Sequence, residues 1–345
     1  MKQLLSRRLG GFLLAASLSS LAAALGGCQQ DPQSVNNSLG GRPFAASTPP
    51  AHPAVTYGTS STAIGVMDSD GTHQTSILTV SGTETVGTPT WSPSGGSIAY
   101  QDAAGGTSYV NSVKAMDISV NAKGVPVSSN VRSIYSTQNS DTAFIVDPSW
   151  CSVSTTAKIA FIRRFGGTGW GSPNLGLAQL CVVSQSGGTP TVLASYKKLA
   201  TQGNGNPLVI SHYTWPTWSP DDSKIAVVRE DTIGHNTIMI YDASTGAAVD
   251  SIAVASNINN LGWSRTGTNE LVFSGASGYI YYCTPTTGST PTTNSVAGNY
   301  PTWSPSNSSV MYVNSSLALM KLQSHSSSTS SLQTGFGGSA LNWKR

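Results

Sequence analysis

Five histidines, His52, His73, His212, His235 and His325, are the side chains of this 345-residue chain best suited to proton transfer or metal binding. They are scattered, with no His-x-x-x-His or carboxylate–His spacing of a metal site, although residues distant in sequence can still meet in a fold. Asp68-Ser69-Asp70-Gly71 has the opening of a calcium loop, but position twelve is Thr79 where a bidentate Glu is needed, so a hairpin turn is the better reading. The run Gly166-Gly167-Thr168-Gly169-Trp170-Gly171 lacks both the Lys and the following helix of a phosphate-binding loop. No Gly-x-Ser-x-Gly elbow occurs. The sequence therefore nominates no catalytic residue, no metal ligand and no cofactor.

Cys28 is the one residue whose surroundings point to a reaction. Lys2, Arg7 and Arg8 form a basic head and Phe12 to Leu25 an apolar stretch, too short and too rich in Ser and Ala to span a bilayer comfortably. The stretch ends in Leu25-Gly26-Gly27-Cys28, which resembles the lipobox of bacterial lipoproteins. That resemblance implies that residues 1–27 are a signal peptide and that Cys28 is acylated as the mature N-terminus. Gln29 after the Cys resembles the pattern for sorting to the outer membrane, facing the periplasm or the cell surface. Ser6-Arg7-Arg8 leaves general or twin-arginine export open. Residues 28–52 are Gln, Asn, Ser, Pro and Gly with almost no apolar periodicity, a flexible tether of about 25–30 Å r.m.s. span.

The elements that must position any site announce themselves by a repeated tryptophan. Trp91, Trp150, Trp218, Trp263, Trp303 and Trp343 each follow a Pro-Thr-like dipeptide or a variant of it. All but the last precede a polar turn and then a β-rich run such as Ser97-Ile98-Ala99-Tyr100 or Lys224-Ile225-Ala226-Val227. The intervals are 59, 68, 45, 40 and 40 residues. A unit near 40–45 residues marks a β-propeller with one four-stranded blade per unit. No blade can bury both faces of its sheet alone, so the Trp rings are expected between neighbouring blades as core. Trp343 stands two residues from the last residue, and the strands missing from its unit appear at the start of the folded region, from Ala54 to Val80. The chain thus predicts an all-β, six-bladed propeller over residues 53–345, its last blade closed by both ends of the chain.

The phrase Pro216-Thr217-Trp218-Ser219-Pro220-Asp221-x-x-Lys224-Ile225-Ala226 resembles the repeat of TolB-type (WD40-like, PD40) propellers, and the resemblance runs in phase from about residue 53 to 345. It implies scaffolding and protein contact at the cell envelope. Two features differ from TolB itself: no α/β domain stands before the propeller, and the lipobox is present.

Charge argues against some partners. Without the signal segment the chain carries 15 basic and 15 acidic side chains, and charged residues are only 10% of the whole. A neutral Ser/Thr-rich surface has no electrostatic footprint for nucleic acid and none for anionic lipid. Cys151, Cys181 and Cys283 remain after export. The first two fall two strands apart in one blade, about 9.5 Å, so a bridge between them needs both at strand ends.

The long intervals locate a candidate binding face. In a propeller the loops between second and third strands open on the same side as the connections between blades, and the Trp-Ser-Pro turns lie opposite. The extra residues fall at Asp102–Ser108 and Ser136–Asp147 in the first blade and at Arg163–Gly176 and Lys197–His212 in the second, on the first side, with a further extension near Ala122–Pro126 on the other. Arg163, Arg164, Phe165, Trp170, His212, Tyr213 and Trp215 give that side the arginines and aromatics of interface anchors. The expected function is a monomeric, non-catalytic, lipid-anchored scaffold binding an envelope protein or peptide there. A carbohydrate-binding or oligosaccharide-lyase-like propeller is the alternative, and a plain spacer protein is the third reading.

Overall fold

The structure, a computed structural model, describes residues 51–104, 110–138, 143–153, 155, 157–165, 176–197, 199–201, 207–209, 212–232 and 235–344. Six four-stranded antiparallel sheets follow one another around a ring. The chain first lays down β1 (Val55–Ser60), β2 (Ala63–Met67) and β3 (Thr75–Thr79). Blade 1 is β4 (Thr85–Trp91), β5 (Ser97–Ala103), β6 (Asn111–Val120) and β7 (Pro126–Ser136). Blade 2 is β8 (Ala143–Trp150), β9 (Lys158–Phe165), β10 (Leu177–Ser184) and β11 (Thr191–Lys197), followed by a small hairpin of β12 (Leu199–Thr201) and β13 (Pro207–Val209). Blade 3 is β14 (His212–Trp218), β15 (Lys224–Thr232), β16 (His235–Asp242) and β17 (Ala248–Val254). Blade 4 is β18 (Ile258–Trp263), β19 (Leu271–Gly275), β20 (Tyr279–Cys283) and β21 (Thr292–Ala297). Blade 5 is β22 (Asn299–Trp303), β23 (Ser309–Val313), β24 (Leu319–Gln323) and β25 (Thr329–Gln333). The last element, β26 (Ser339–Trp343), pairs with β1, so blade 6 runs β26-β1-β2-β3 and is built from both ends.

The repeated phrase has a physical reason at each position. All six tryptophans are buried, and their clusters join side chains of adjacent blades, as where Trp91 packs with Ile64 and Val66. The Thr before the Trp ties the ring together: Trp150 N donates to Thr90 Oγ1 (3.5 Å), Trp263 N to Thr217 Oγ1 (3.1 Å) and Trp343 N to Thr302 Oγ1 (3.2 Å). Asn342 does the same for Trp91 N at 3.0 Å and so carries the ring of bonds across the closure.

A second link lies in the turn after the Trp. Asp222, four residues past Trp218 and at φ +59°, accepts from the backbone N–H groups of Ser152 and Val153 in the preceding blade. Asn307, four past Trp303 and at φ +56°, accepts from Arg265 N at 2.6 Å and donates to Thr266 O. Both links need an N–H two residues past the preceding Trp. Where that residue is Pro220, which has no N–H, the next blade carries Gly267 at the linking position. Gly95 holds the position in blade 1; a Cβ there would lie 1.9 Å from Cε of Lys344, whose ammonium sits 5.2 Å over the Trp91 ring.

The strand ends that flank the long intervals (Ala103 and Asn111, Ser136 and Ala143, Phe165 and Leu177, Lys197 and His212) all lie on one face of the ring, called here the enlarged face. Cys151, Cys181 and Cys283 are buried and in no disulfide, so Cys151 and Cys181 are not bridged.

Candidate functional site at the mouth of the channel

The innermost strands β4, β8, β14, β18, β22 and β26 surround a central channel of about 70 Å³. Each of these pairings carries an extra residue, a β-bulge, at the same place in the repeat. Three residues before each Trp the backbone turns left-handed: Thr88 (φ 43°), Asp147 (54°), Trp215 (54°), Asn260 (72°), Tyr300 (55°) and Ala340 (49°). Non-glycine residues at positive φ are uncommon and carry strain, so a sixfold recurrence is a designed feature of the fold. In four copies the next residue is Pro (Pro89, Pro148, Pro216, Pro301), whose missing N–H suits a bulge where a ladder bond is interrupted. Five of the six bulge residues line the channel, all but Tyr300.

Asp147 is the one carboxylate among the bulge residues. Its Oδ2 accepts from Trp215 N at 3.2 Å. Burial pushes its carboxyl above the usual carboxylate range, against the pull of the Arg164 charge and the Trp215 hydrogen bond. Arg164 donates through Nε and Nη2 to Tyr213 O at 3.1 and 2.9 Å. Burial lowers its guanidinium, opposed by Asp147 and Glu230. Glu230 is likewise raised by burial and drawn back by Arg164. Blades 2 and 3 thus meet beside the channel through Asp147 and Arg164, held largely out of water, and a part-exposed Glu230, where each charge depends on the others. Close by in the channel wall, Thr88 Oγ1 is buried with no hydrogen-bond partner among the described residues.

Further out, both junctions of blade 2, with blade 1 and with blade 3, are faced with arginine and aromatic side chains. Arg163 donates to Gln179 Oε1 at 2.9 and 2.6 Å and to Tyr135 Oη at 3.1 Å, and its guanidinium lies 5.2 Å from the Phe165 ring centre. Arg229 stands 4.9 Å over the Tyr196 ring. Tyr213 and Tyr241 share a hydroxyl–hydroxyl bond of 2.6 Å. Phe144, opposite Arg164 in the β8–β9 ladder, is 42% exposed.

The residues singled out from the sequence distribute unevenly over this site. Arg164, Tyr213 and Trp215 come together where blades 2 and 3 meet, with Trp215 at the channel, whereas Arg163 and Phe165 lie on the other face of β9, toward Tyr135 of blade 1. Tyr213 is 1% exposed and Arg164 is bound to its backbone, so these two hold the junction while Arg163 and Phe165 are part-exposed. Trp170 and the side chain of His212 lie outside the described residues, as does Cys28. Asp147, Tyr196, Arg229 and Glu230 were missed. Asp147 alone had a signal, a carboxylate at a repeat position held elsewhere by Thr, Trp, Asn, Tyr and Ala. Among the described residues no group of three or more His, Cys, Asp or Glu is placed to hold a metal ion.

No protein-family model matches the sequence, and no curated protein does. Solved structures do. TolB from Acinetobacter baumannii superposes with a TM-score of 0.56 at 14% identity, over 84% of this chain and 66% of that one. The chain therefore spans a little under two thirds of that protein's length, and at this identity the likeness speaks for the fold: a TolB-like six-bladed propeller. An oligogalacturonate lyase in complex with manganese (TM-score 0.40, 13% identity, 73% of this chain and 79% of that one) fits less well. So does a 6-phosphogluconolactonase-like protein from Bacteroides uniformis (0.46, 9%, 81% and 81%). At these TM-scores neither bears on the function.

Proposed function

We propose that this chain is a non-catalytic scaffold of the cell envelope, anchored by a lipid on Cys28, that captures a protein or peptide partner on its enlarged face. The observation that carries the reading is the one-sidedness of the insertions. Apart from the extension near Ala122–Pro126, the long connections of blades 1 and 2 depart from strand ends on the face where Asp147 and Trp215 line the channel and where Phe144 and Phe165 stand at the ends of β8 and β9. Loops on a rigid scaffold are where binding concentrates, and aromatic and arginine side chains dominate interface energetics. The TolB-like fold supports a scaffold, and the balanced charge leaves membrane attachment to the acyl chain.

The test has two arms. Cys28→Ser is expected to lose palmitate labelling and to leave the membrane fraction or stall as precursor; unchanged fractionation removes the anchor from the proposal. In the other arm, crosslinked envelopes are searched for proteins recovered with the parent and lost with Phe144→Ala/Phe165→Ala/Trp170→Ala. Arg164 is left intact because it holds the blade junction. Interface truncations of this kind cost about 2 kcal/mol or more each, so recovery should fall to the level of a tether-only control. Recovery unchanged in a variant that melts like the parent assigns binding to another surface.

A further inference from the structure

We propose that Glu84, Asp102 and Lys114 form a proton-operated clasp on the seam between blade 6 and blade 1, shut while the two acids share one proton and released when that proton is lost. The seam is marked by its packing: Val86, Ile98, Tyr100 and Met116 of blade 1 form one buried cluster with Ile64 and Val66 of blade 6. Strand alternation puts the three charged groups on that same face. Val86 stands opposite Asp102 in the β4–β5 ladder, and Glu84 is two residues before Val86. Lys114 stands opposite Tyr100 in the β5–β6 ladder. Lys114 Nζ lies 2.8 Å from Asp102 Oδ2 and 3.7 Å from Glu84 Oε1. The Glu84 and Asp102 carboxyls are themselves in hydrogen-bonding contact.

Two ionised carboxylates against one ammonium leave a net negative charge on the seam, and acids this close are relieved by keeping one proton between them. Asp102 is 6% exposed, and its Oδ1 is buried with no hydrogen-bond partner among the described residues. A buried acceptor left unmet is costly; a protonated Glu84 supplies the missing donor. The Asp102 contact first, and burial second, hold the part-exposed Glu84 carboxyl above the ordinary carboxylate range, against the pull of Lys114. Tyr100, pushed up by burial and by the same two acids, stays a neutral phenol. The packed strands β1, β2 and β3 of blade 6 carry no charged side chain, and Tyr57 packs toward blade 5. Asp68, Asp70 and His73 sit in the β2–β3 turn at the opposite rim, and Asp117 pairs with Arg132 on the other face of blade 1. Residues 80–86 carry the chain from β3 to β4 across the seam on the enlarged face, held by Val80 N to Thr62 O at 2.9 Å and Val86 N to Ser61 O at 2.7 Å. Glu84 lies between those two bonds, so the shut clasp adds a third hold. The folded ring binds this proton more tightly than the unfolded chain does. The hold is therefore present in acid and lost as pH climbs from the ordinary carboxylate range through the raised value.

Hydrogen exchange of the full-length protein, read by mass spectrometry on fragments covering residues 80–86, tests the clasp. In the parent, protection corrected for intrinsic exchange should fall about three- to tenfold between about pH 5 and about pH 8. Glu84→Gln keeps a donor for Asp102 at every pH, so its protection should stay near the parent's acid value throughout. Lys114→Met removes the charge that pulls the Glu84 carboxyl down, so its loss of protection should begin at higher pH than the parent's. Flat protection in the parent overturns the proposal, as does a Glu84→Gln variant that loses protection as the parent does. A Lys114→Met variant whose loss falls at the parent's pH overturns it equally, because Lys114 would then have no part in holding the proton.

Discussion

At the scale of single residues the telling feature is a buried carboxylate beside a buried guanidinium. Because burial raises Asp147, the folded ring holds that proton more tightly than the unfolded chain. Its contribution to stability is then most favourable at low pH and is lost as pH climbs from the usual carboxylate range through the raised value. Arg164 opposes the shift, so Arg164→Ala should raise the carboxyl further. We expect a loss of about 3–5 kcal/mol at neutral pH, as when one member of a buried charge group is removed, and a smaller loss under mildly acidic conditions. Denaturant unfolding at the two pH values reads the difference. Equal losses would mean that Arg164 acts only through its bonds to Tyr213. This pairing was illegible in the sequence, where Asp147 and Arg164 are 17 positions apart on strands whose register only the sheet reveals. Tyr213 shows the same limit: it stands among exposed-looking residues, yet Tyr241 and the ladder to Arg229 draw it inside.

At the scale of the element, the turn after each tryptophan obeys a rule spanning two blades: an acceptor side chain in one needs an N–H in the one before. Asp222→Gly keeps the left-handed backbone and removes the acceptor, so it should cost about 1–3 kcal/mol, the penalty of leaving a donor unmet. Gly267→Asp should bring no gain, since Pro220 offers no donor, and should cost about 1 kcal/mol or less for the unfavourable φ. Thermal unfolding of both variants decides the matter; stabilisation by Gly267→Asp would contradict the rule. Much of the blade was legible because the Trp recurs in phase and Pro or Gly punctuates many of the hairpins. The bulges were not. Their residues share no side-chain chemistry, and a backbone conformation common to Thr, Asp, Trp, Asn, Tyr and Ala is set by the ring they enclose.

At the scale of the whole molecule, five residues decide whether there is a ring. Without Leu341–Arg345, Trp343 no longer fills its place between blades, Asn342 no longer accepts from Trp91 N, and Arg265 loses its bond to Trp343 O at 3.0 Å. Removing one buried Trp costs about 3–5 kcal/mol, and a domain of this size loses about 2–4 °C of melting temperature per kcal/mol. The truncated protein should therefore melt about 6–20 °C lower in a single transition, with every blade more open to protease. A two-step melt that leaves blades 1 to 5 at the parent's temperature would show that closure is local.

The 2.6 Å bond between Lys344 N and Ala54 O brings the first and last strands within reach of a peptide linker. The ring is thus suited to circular permutation: joined there and cut instead at Ser315–Ser316, it would keep all six blades while its new amino terminus emerged among the 2–3 loops.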